Sequence, residues 1–421
     1  MKTQASCRWR HYLAAATLMI SAGSAVAESI KLGLNYPSTG RYKEQGIAQA
    51  NGALLAVDEI NERGGVLGRQ LELLYANSAS KPDKAVKNVR NLASQGAAML
   101  FGGSSSAVAI AGGKEAAKQG LIYFGTLTAA NETTGVEGHK HMFREYYSTW
   151  MACKMLSKYM NQHMAGKKVF YITADYSWGS STESSLRQLT DTMDVNSHPH
   201  AIVKFPKPRQ SDLEKALKQA EESGAEVLVV IQFGRDLATA LQLAHKRGLK
   251  DKMEIIAPTV TLGMAKSTGA GTLEGVISTV PWIWSVPYQY DYADGIRFVE
   301  SYLERYGEYP SSSAASAYSI VYQFSAAAER AKSLKTSKLI KALENHSYVG
   351  LKDEQTWRAF DHQNVQTVYL LKGREREDVM KDKLKSDYFE IIDSIPGSEA
   401  ARTYEEWVKV RTAAGKPGQL Q

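Results

Sequence analysis

Residues 97–126, AAMLFGGSSSAVAIAGGKEAAKQGLIYFGT, pass from a short apolar run through a glycine–serine turn into a helical stretch, then into a second apolar run. AAMLFGG reads as a buried strand, SSAVAIAGGKEAAKQG as a helix and LIYFGT as the next strand. A strand–helix–strand unit of this kind joins parallel strands by a right-handed crossover. The junction GGSSS, residues 102–106, combines almost no side-chain bulk with three hydroxyls. A helix N-terminus has unpaired N–H donors and a partial positive charge, so this junction suits an anion. A glycine turn with a serine N-cap accounts for the same residues equally well.

The pattern extends in both directions. SIKLGLNY (29–36) is strand-like and ends in the turn cluster PSTG. QGIAQANGALLAVDEINERGG (45–65) has helical apolar spacing and a glycine stop. RQLELLYAN (69–77) alternates like a strand, and KPDKAVKNVRNLASQ (81–95) is a helix with Pro82 at its start. After residue 148 the alternation restarts: a helix at 149–164, the strand KKVFYITAD, a helix over 179–193, then HAIVKFP, DLEKALKQAEESG, AEVLVVIQFG, DLATALQLAHKRG and MEIIAP. Helices are expected around 291–306, 313–332 and 336–345, with a strand at QTVYLLKG (366–373). These later elements have no complete sheet of their own, so they finish the two earlier units and the chain crosses between lobes more than once. Ligands of open α/β sheets bind beyond the carboxyl ends of the strands, and two such lobes face each other across a cleft that closes by hinge motion.

The ends and totals bound the rest. Lys2, Arg8 and Arg10 precede the apolar run LAAATLMISAGSAVA, which ends in the small-residue pattern Ala25-Val26-Ala27. That is the form of a secretory signal with cleavage between Ala27 and Glu28, and the expected location is the periplasm, as a soluble protein. No later apolar run approaches the roughly 20 residues of a transmembrane helix. Removing the signal leaves 48 basic against 44 acidic residues, a net +4, too mild and too dispersed to indicate nucleic acid. Cys153 is the single cysteine after the signal, so no internal disulfide is available and stability must come from a large core.

Three stretches together, INERGGVLGRQLEL (60–73), GGSSSAVAIA (102–111) and EGVISTVPW (274–282), resemble the periplasmic solute-binding proteins of branched-chain amino acid ABC transporters. The leucine–isoleucine–valine-binding type is the reference, with amide-, urea- and aromatic-acid-binding relatives. The resemblance runs from about residue 29 to 375. It implies two Rossmann-like lobes with parallel central sheets, joined by a hinge of three crossovers. The expected organisation is a signal at 1–27, one lobe from 28–146 and 279–350, and a second from 147–278 and 351–421. The implied function is the substrate-binding component of an importer, a monomer that hands a small ligand to membrane permease subunits, without a cofactor.

Residue by residue, the resemblance places the ligand carboxylate on Ser105 and Ser106, with Ser104 adjacent. Thr126 and Thr128 match the strand end that contacts the ligand, although the family's threonine falls nearer Ala129. Gln45 aligns with an aromatic wall position and Tyr42 lies one turn away; in the second lobe Trp178, Tyr176 and Phe233 match the residues that cap the ligand. The family's amino acid binders have an ammonium-binding glutamate where this chain has Thr259 and Thr261; Asp175 and Glu44 are the acidic residues that could stand in for it. An ammonium without a charge partner in a dry cleft is costly, so a small carboxylate or amide is expected before a free α-amino acid. The aromatic run VPWIWSVPYQYDY (280–292, with Trp282, Trp284, Tyr288 and Tyr290) fits either a flat ligand or packing between lobes.

Other chemistries find no carrier. GGSSSA lacks the closing glycine of a nucleophile elbow, and neither HExxH nor a phosphate-loop lysine is present, which argues against an exported hydrolase. A ligand sensor for a membrane kinase would share the same fold and cleft. The pairs His139/His141 and His198/His200 lack a third ligand at metal spacing and read as loop histidines. The charge run at 372–387 reads as a solvated helix or tail.

Overall fold

The computed structural model describes residues 28–206 and 208–421, so the expected signal at 1–27 lies outside the described residues. The first lobe opens with β1 (Ile30–Tyr36), α1 (Lys43–Glu62), β2 (Leu71–Asn77), α2 (Pro82–Ser94), β3 (Ala97–Gly102), α3 (Ser106–Lys118), β4 (Tyr123–Gly125) and β5 (Met142–Arg144). Its five strands are all parallel, in the order β2-β1-β3-β4-β5. A parallel sheet is covered by helices on both faces, which is why β3 reads as a continuous apolar run. Met99, Leu100 and Phe101 are all fully buried there.

The second lobe contains α4 (Thr149–His163), β6 (Val169–Ala174), α5 (Ser177–Leu189), β7 (His200–Val203), α6 (Gln210–Glu222), β8 (Val227–Ile231), α7 (Arg235–Lys246), β9 (Glu254–Thr259), α8 (Leu262–Thr268), α9 (Ala270–Leu273) and β10 (Ile277–Val280). The chain then returns to the first lobe through α10 (Val286–Gln289), α11 (Ala293–Tyr306), α12 (Ser312–Ala331) and α13 (Thr336–Leu343). Phe298 and Tyr302 of α11, and Ile320, Val321 and Phe324 of α12, pack in the first-lobe core. The four helices expected over 179–193, 291–306, 313–332 and 336–345 thus form within a few residues of those bounds.

Two features depart from the expectation. The strands β11 (His346–Tyr348), β12 (Gln355–Trp357) and β13 (Asn364–Val365) form a small antiparallel sheet. Its Trp357 is fully buried in the first-lobe core, so residues around 351–365 pack on the first lobe rather than the second. Strands of two or three residues carry no readable alternation. The charge run at 372–387, in turn, starts in the last two residues of β14 (Val368–Gly373) and ends before β15 (Phe389–Ile395). Its short α14 (Arg376–Lys381) is the expected solvated helix, with Val379 alone buried, but the run is a connection between strands and not a tail. Both flanking strands are antiparallel additions to an otherwise parallel seven-stranded sheet, in the order β15-β14-β10-β9-β8-β6-β7.

Three segments connect the lobes: 145–148, 281–285 and 366–367. Side chains stitch them to one another. Gln363 Nε2 donates to Tyr146 O at 3.0 Å, Gln366 Nε2 donates to Glu145 O, and Lys352 Nζ donates to Pro281 O at 2.5 Å and Thr367 O at 2.8 Å. The C-terminal segment adds a further connection. After β15, α15 (Gly397–Ala400) packs on α4 of the second lobe, and α16 (Tyr404–Ala413) lies on the first. Trp407 Nε1 donates to Thr134 O at 2.9 Å, Arg411 Nη1 to Gly138 O at 3.2 Å, and Lys140 N–H to Gln421 O at 3.0 Å.

Candidate functional site

The serine turn is built by a division of labour among its hydroxyls. Gly102 has φ 134°, and a Cβ there would sit 2.2 Å from Asn35 O, so only glycine lets the turn lie this close to β1. Ser104 adopts the left-handed region at φ 68° and accepts a 2.8 Å hydrogen bond from Gln49 Nε2 on α1. Ser106 Oγ accepts from Ala130 N–H at 3.1 Å, fixing the loop after β4. Ser105 is the N-cap residue of α3, but its side chain caps none of the helix's amides. The first-turn N–H groups of α3 have no intrahelical acceptor. The serine turn therefore offers backbone donors and one uncommitted hydroxyl.

These groups face a cavity of about 20 Å³, room for about one water. Ser104, Ser105, Ser106, Leu127 and Ala129 line it from the first lobe, Tyr146 from the first connecting segment, and Tyr176, Trp178, Phe233 and Thr259 from the second lobe. None of these residues is charged, so an acid placed here would be held by hydrogen bonds and would meet no opposing carboxylate.

The second-lobe wall is aromatic. Tyr176 starts α5 as its N-cap residue, with Trp178 in the first turn, and Phe233 follows β8. Tyr176 stacks on Phe205 with centroids 4.0 Å apart, and Trp178 meets Phe233 edge-on at 5.7 Å. Tyr42 reaches across from the first lobe to meet Phe233 edge-on at 5.1 Å. Such pairs contribute about 0.5–1.5 kcal/mol each beyond area burial. Burial raises the pKa of both Tyr42 and Tyr176, keeping their neighbouring phenols protonated and able to donate. Arg41 pairs with Asp236 beside this wall, and Asn131 N–H donates to Ser181 Oγ at 3.0 Å, so the lobes touch on both sides of the cavity.

The structure thus brings Ser104, Ser105, Ser106, Tyr176, Trp178 and Phe233 around one cavity, with Tyr42 just behind Phe233. Thr126 and Thr128 are buried but do not line it; Leu127 and Ala129 do. The chain makes a tight turn here, with Thr128 N–H donating to Thr126 O at 3.0 Å, and Thr128 Oγ1 instead meets Thr133 Oγ1 at 3.2 Å. Trp282, Trp284, Tyr288 and Tyr290 also stand away from it. Trp282 Nε1 bonds Leu351 O at 3.3 Å and Trp284 stacks on Tyr309 at 3.9 Å, so they pack around the second connecting segment. Phe205 and Tyr146 were not singled out from sequence. The signals were present: Phe205 closes the strand-like HAIVKFP, and Tyr146 follows the end of β5. Three of the four histidines lie in loops as expected, and His200 instead opens β7; His198 Nδ1 accepts from Val169 N–H at 3.1 Å and His200 Nδ1 lies 2.7 Å from Glu183.

Gln45 lines a second cavity, of about 110 Å³, further along the same inter-lobe gap. Glu44, Gln45 and Ser311 face it from the first lobe and Thr261, Gly263 and Lys266 from the second. Lys266 Nζ is bonded to Glu308 at 2.7 Å across the gap. Glu44 is exposed along its stem, while its carboxylate end packs on Gly263, where a Cβ would lie 2.4 Å from Oε1. Burial of that end raises the carboxyl pKa, opposed by Lys266. Thr261 caps α8, and Thr259 Oγ1 is 2.6 Å from Tyr147 OH.

The hinge has its own electrostatics. Glu145 is buried in the first connecting segment, and burial pushes its carboxyl up to about 7. Burial also brings the Lys352 ammonium down to about 8. The fully enclosed Arg144 guanidinium, lowered to about 9 by burial, donates to Ala130 O and Gln363 Oε1 at 2.5 Å and to Thr134 Oγ1 at 2.8 Å. Among the described residues no helix is long and apolar enough to cross a membrane.

A family model described as periplasmic binding protein matches residues 29–378. Leu/Ile/Val-binding protein homolog 7 of Brucella melitensis is 26% identical over 326 residues, covering 72% of this chain and 77% of its own. A crystal structure of a periplasmic binding protein from Burkholderia mallei superposes with a TM-score of 0.81 at 24% identity, covering 90% of this chain and 98% of that one. The amino acid ABC transporter substrate-binding protein from Pseudomonas fluorescens Pf-5 superposes at 0.78 with 25% identity, covering 88% and 96%.

Proposed function

The chain belongs to the periplasmic binding protein family, whose members bind solutes and are not enzymes, and from that premise we propose that it is the receptor of an ABC importer for a small carboxylate-bearing ligand. One observation carries the ligand class: the uncommitted Ser105 hydroxyl and the first-turn amides of α3 converge on an uncharged inter-lobe cavity. Donors held by a folded turn need no reorganisation when an acid arrives, and the helix end adds its partial positive charge. The Ser106 hydroxyl, committed to Ala130, shapes the loop, and its backbone N–H remains for the ligand.

Capture works by closure. The cavity between the lobes admits about one water, so a ligand of several heavy atoms enters when the lobes part and is covered when they close over it, with the walls standing further apart than here. Tyr176, Trp178 and Phe233 then take its apolar body, and contacts to both lobes make the closed state the favoured one. The permease subunits would read that closed shape. The names of the Brucella and Pseudomonas relatives support amino acids among the candidates, alongside short and aromatic acids and amides.

The test is a thermal-shift screen of the refolded mature chain with amino acids, amides, short carboxylates and aromatic acids, followed by calorimetry on the hits. A ligand at a hundred times its Kd adds about 2.7 kcal/mol of stability. The expected hit carries a carboxylate and loses at least tenfold in affinity in Ser105→Ala. A tight ligand without an acidic or carbonyl end, or one indifferent to Ser105→Ala, would overturn the assignment.

A further inference from the structure

The second cavity has a chemical polarity of its own. Gln45 is buried and lines the cavity, and its Oε1, shielded from solvent just behind that lining, has no hydrogen-bond partner among the described residues. Ser311 Oγ, on the same lining, is likewise unpartnered. A buried acceptor left unmatched is destabilising, so such groups mark a place that a donor would relieve. The charged groups point the same way. On the lining the carboxylates of Glu44 and Glu308 face one cation, Lys266, which bonds Glu308 and also attracts Glu44. Glu44 is influenced further by Ser267 and Arg235 but forms no ion pair with a described residue, so the lining carries one net negative charge.

Its position relative to the serine turn is fixed by two elements. Gln49, bonded to Ser104, and Gln45, on the second cavity, are one turn apart on α1, about 6 Å along the axis. Thr259 lines the first cavity and Thr261 the second, two residues and about 7 Å of extended chain apart. The two cavities also differ in size, about 20 Å³ at the serines and about 110 Å³ here.

We propose that the second cavity is the nitrogen end of a two-ended site, so that the ligand is an ω-amino acid with its carboxylate at the serine turn and its ammonium between Glu44 and Gln45. An α-amino acid holds its nitrogen two bonds from its carboxyl carbon and cannot span one helical turn; a chain of three to five methylenes can. This reading rests on the serine turn holding the acid. It also removes the difficulty raised by Thr259 and Thr261, because the missing negative charge is supplied from the other lobe by Glu44.

The test is calorimetry on the mature chain with two matched series: β-alanine, γ-aminobutyrate, δ-aminovalerate and ε-aminocaproate against propionate, butyrate, valerate and caproate. The expected result is an optimum length at which the amino acid binds at least tenfold tighter than its plain acid. In Glu44→Gln that ratio falls to near one, and Gln45→Leu lowers it in the same direction, with the melting temperature of each variant checked before ligand is added. Equal binding of the two series, or a ratio unchanged in Glu44→Gln, overturns the proposal. If plain or aromatic acids bind well and lose affinity in Ser105→Ala, the acid-binding reading survives that failure; if no acid of any kind binds, both fall.

Discussion

Gln49 donates to Ser104 Oγ at 2.8 Å, and this buried bond couples the long helix α1 to the left-handed turn that opens the cavity. Its removal should be felt twice. Gln49→Leu leaves Ser104 without its donor and is expected to cost about 1–3 kcal/mol in urea denaturation. Combined with Ser104→Ala, the losses should be less than additive, a coupling of about 1 kcal/mol in the double-mutant cycle. Full additivity would mean the bond does not hold the turn.

The serines should separate cleanly by phenotype. Ser106→Ala orphans the Ala130 N–H and is expected to lower stability by about 1–3 kcal/mol. Ser105 has no such structural task, so Ser105→Ala should melt like the parent and show its effect in ligand affinity alone. Equal melting-temperature losses in the two variants would contradict this division.

Trp178 is nearly enclosed, packed edge-on against Phe233 at the cavity wall. Ligand closure should therefore change its emission. Trp178→Phe is expected to abolish most of the ligand-induced fluorescence change while weakening binding by less than Trp178→Ala does. A full fluorescence response in Trp178→Phe would place the reporting tryptophan elsewhere.

The hinge gives a pH signature. The Glu145 carboxyl is raised from its ordinary 4.5 to about 7, so the folded protein holds a proton there that the unfolded chain has released. The associated stability is fully present below pH 4.5 and is lost as pH rises through about 7. The stability of the parent relative to Glu145→Gln should thus fall across that window, measured by denaturation at several pH values. Lys352 acts in the opposite sense: its ammonium is lowered from 10.5 to about 8, so its contribution grows as pH rises between those values. A flat difference between parent and Glu145→Gln from pH 4.5 to 7 would show that the carboxyl stays ionised in the hinge.

Much of this was legible in the sequence because it depended on local pattern. The turn at 102–106 announced its glycines and hydroxyls, and the strand–helix alternation carried the two lobes. What escaped reading depended on facing and on distant partners. Thr126 and Thr128 are polar and well placed in sequence, but the tight turn that follows β4 takes them from the cavity and presents Leu127 and Ala129. The separate commitments of Ser104 and Ser106 hinge on Gln49 and Ala130, which lie 55 and 24 residues away. Nor does any local signal tell that Glu44 packs on Gly263 of the other lobe, because that contact exists only when the lobes meet.

The C-terminal segment, beyond the stretch that matches the family model, runs from α15 on the second lobe to α16 on the first, with Arg402 stacked over Trp150 at 4.5 Å beside the first connecting segment. A rigid body pinned to another at several points along one edge keeps its swing and loses its shear and twist. In the proposed closure the tail would be an added pin on that edge, holding each swing to one arc so that the two lobes present their outer faces in the same relative pose.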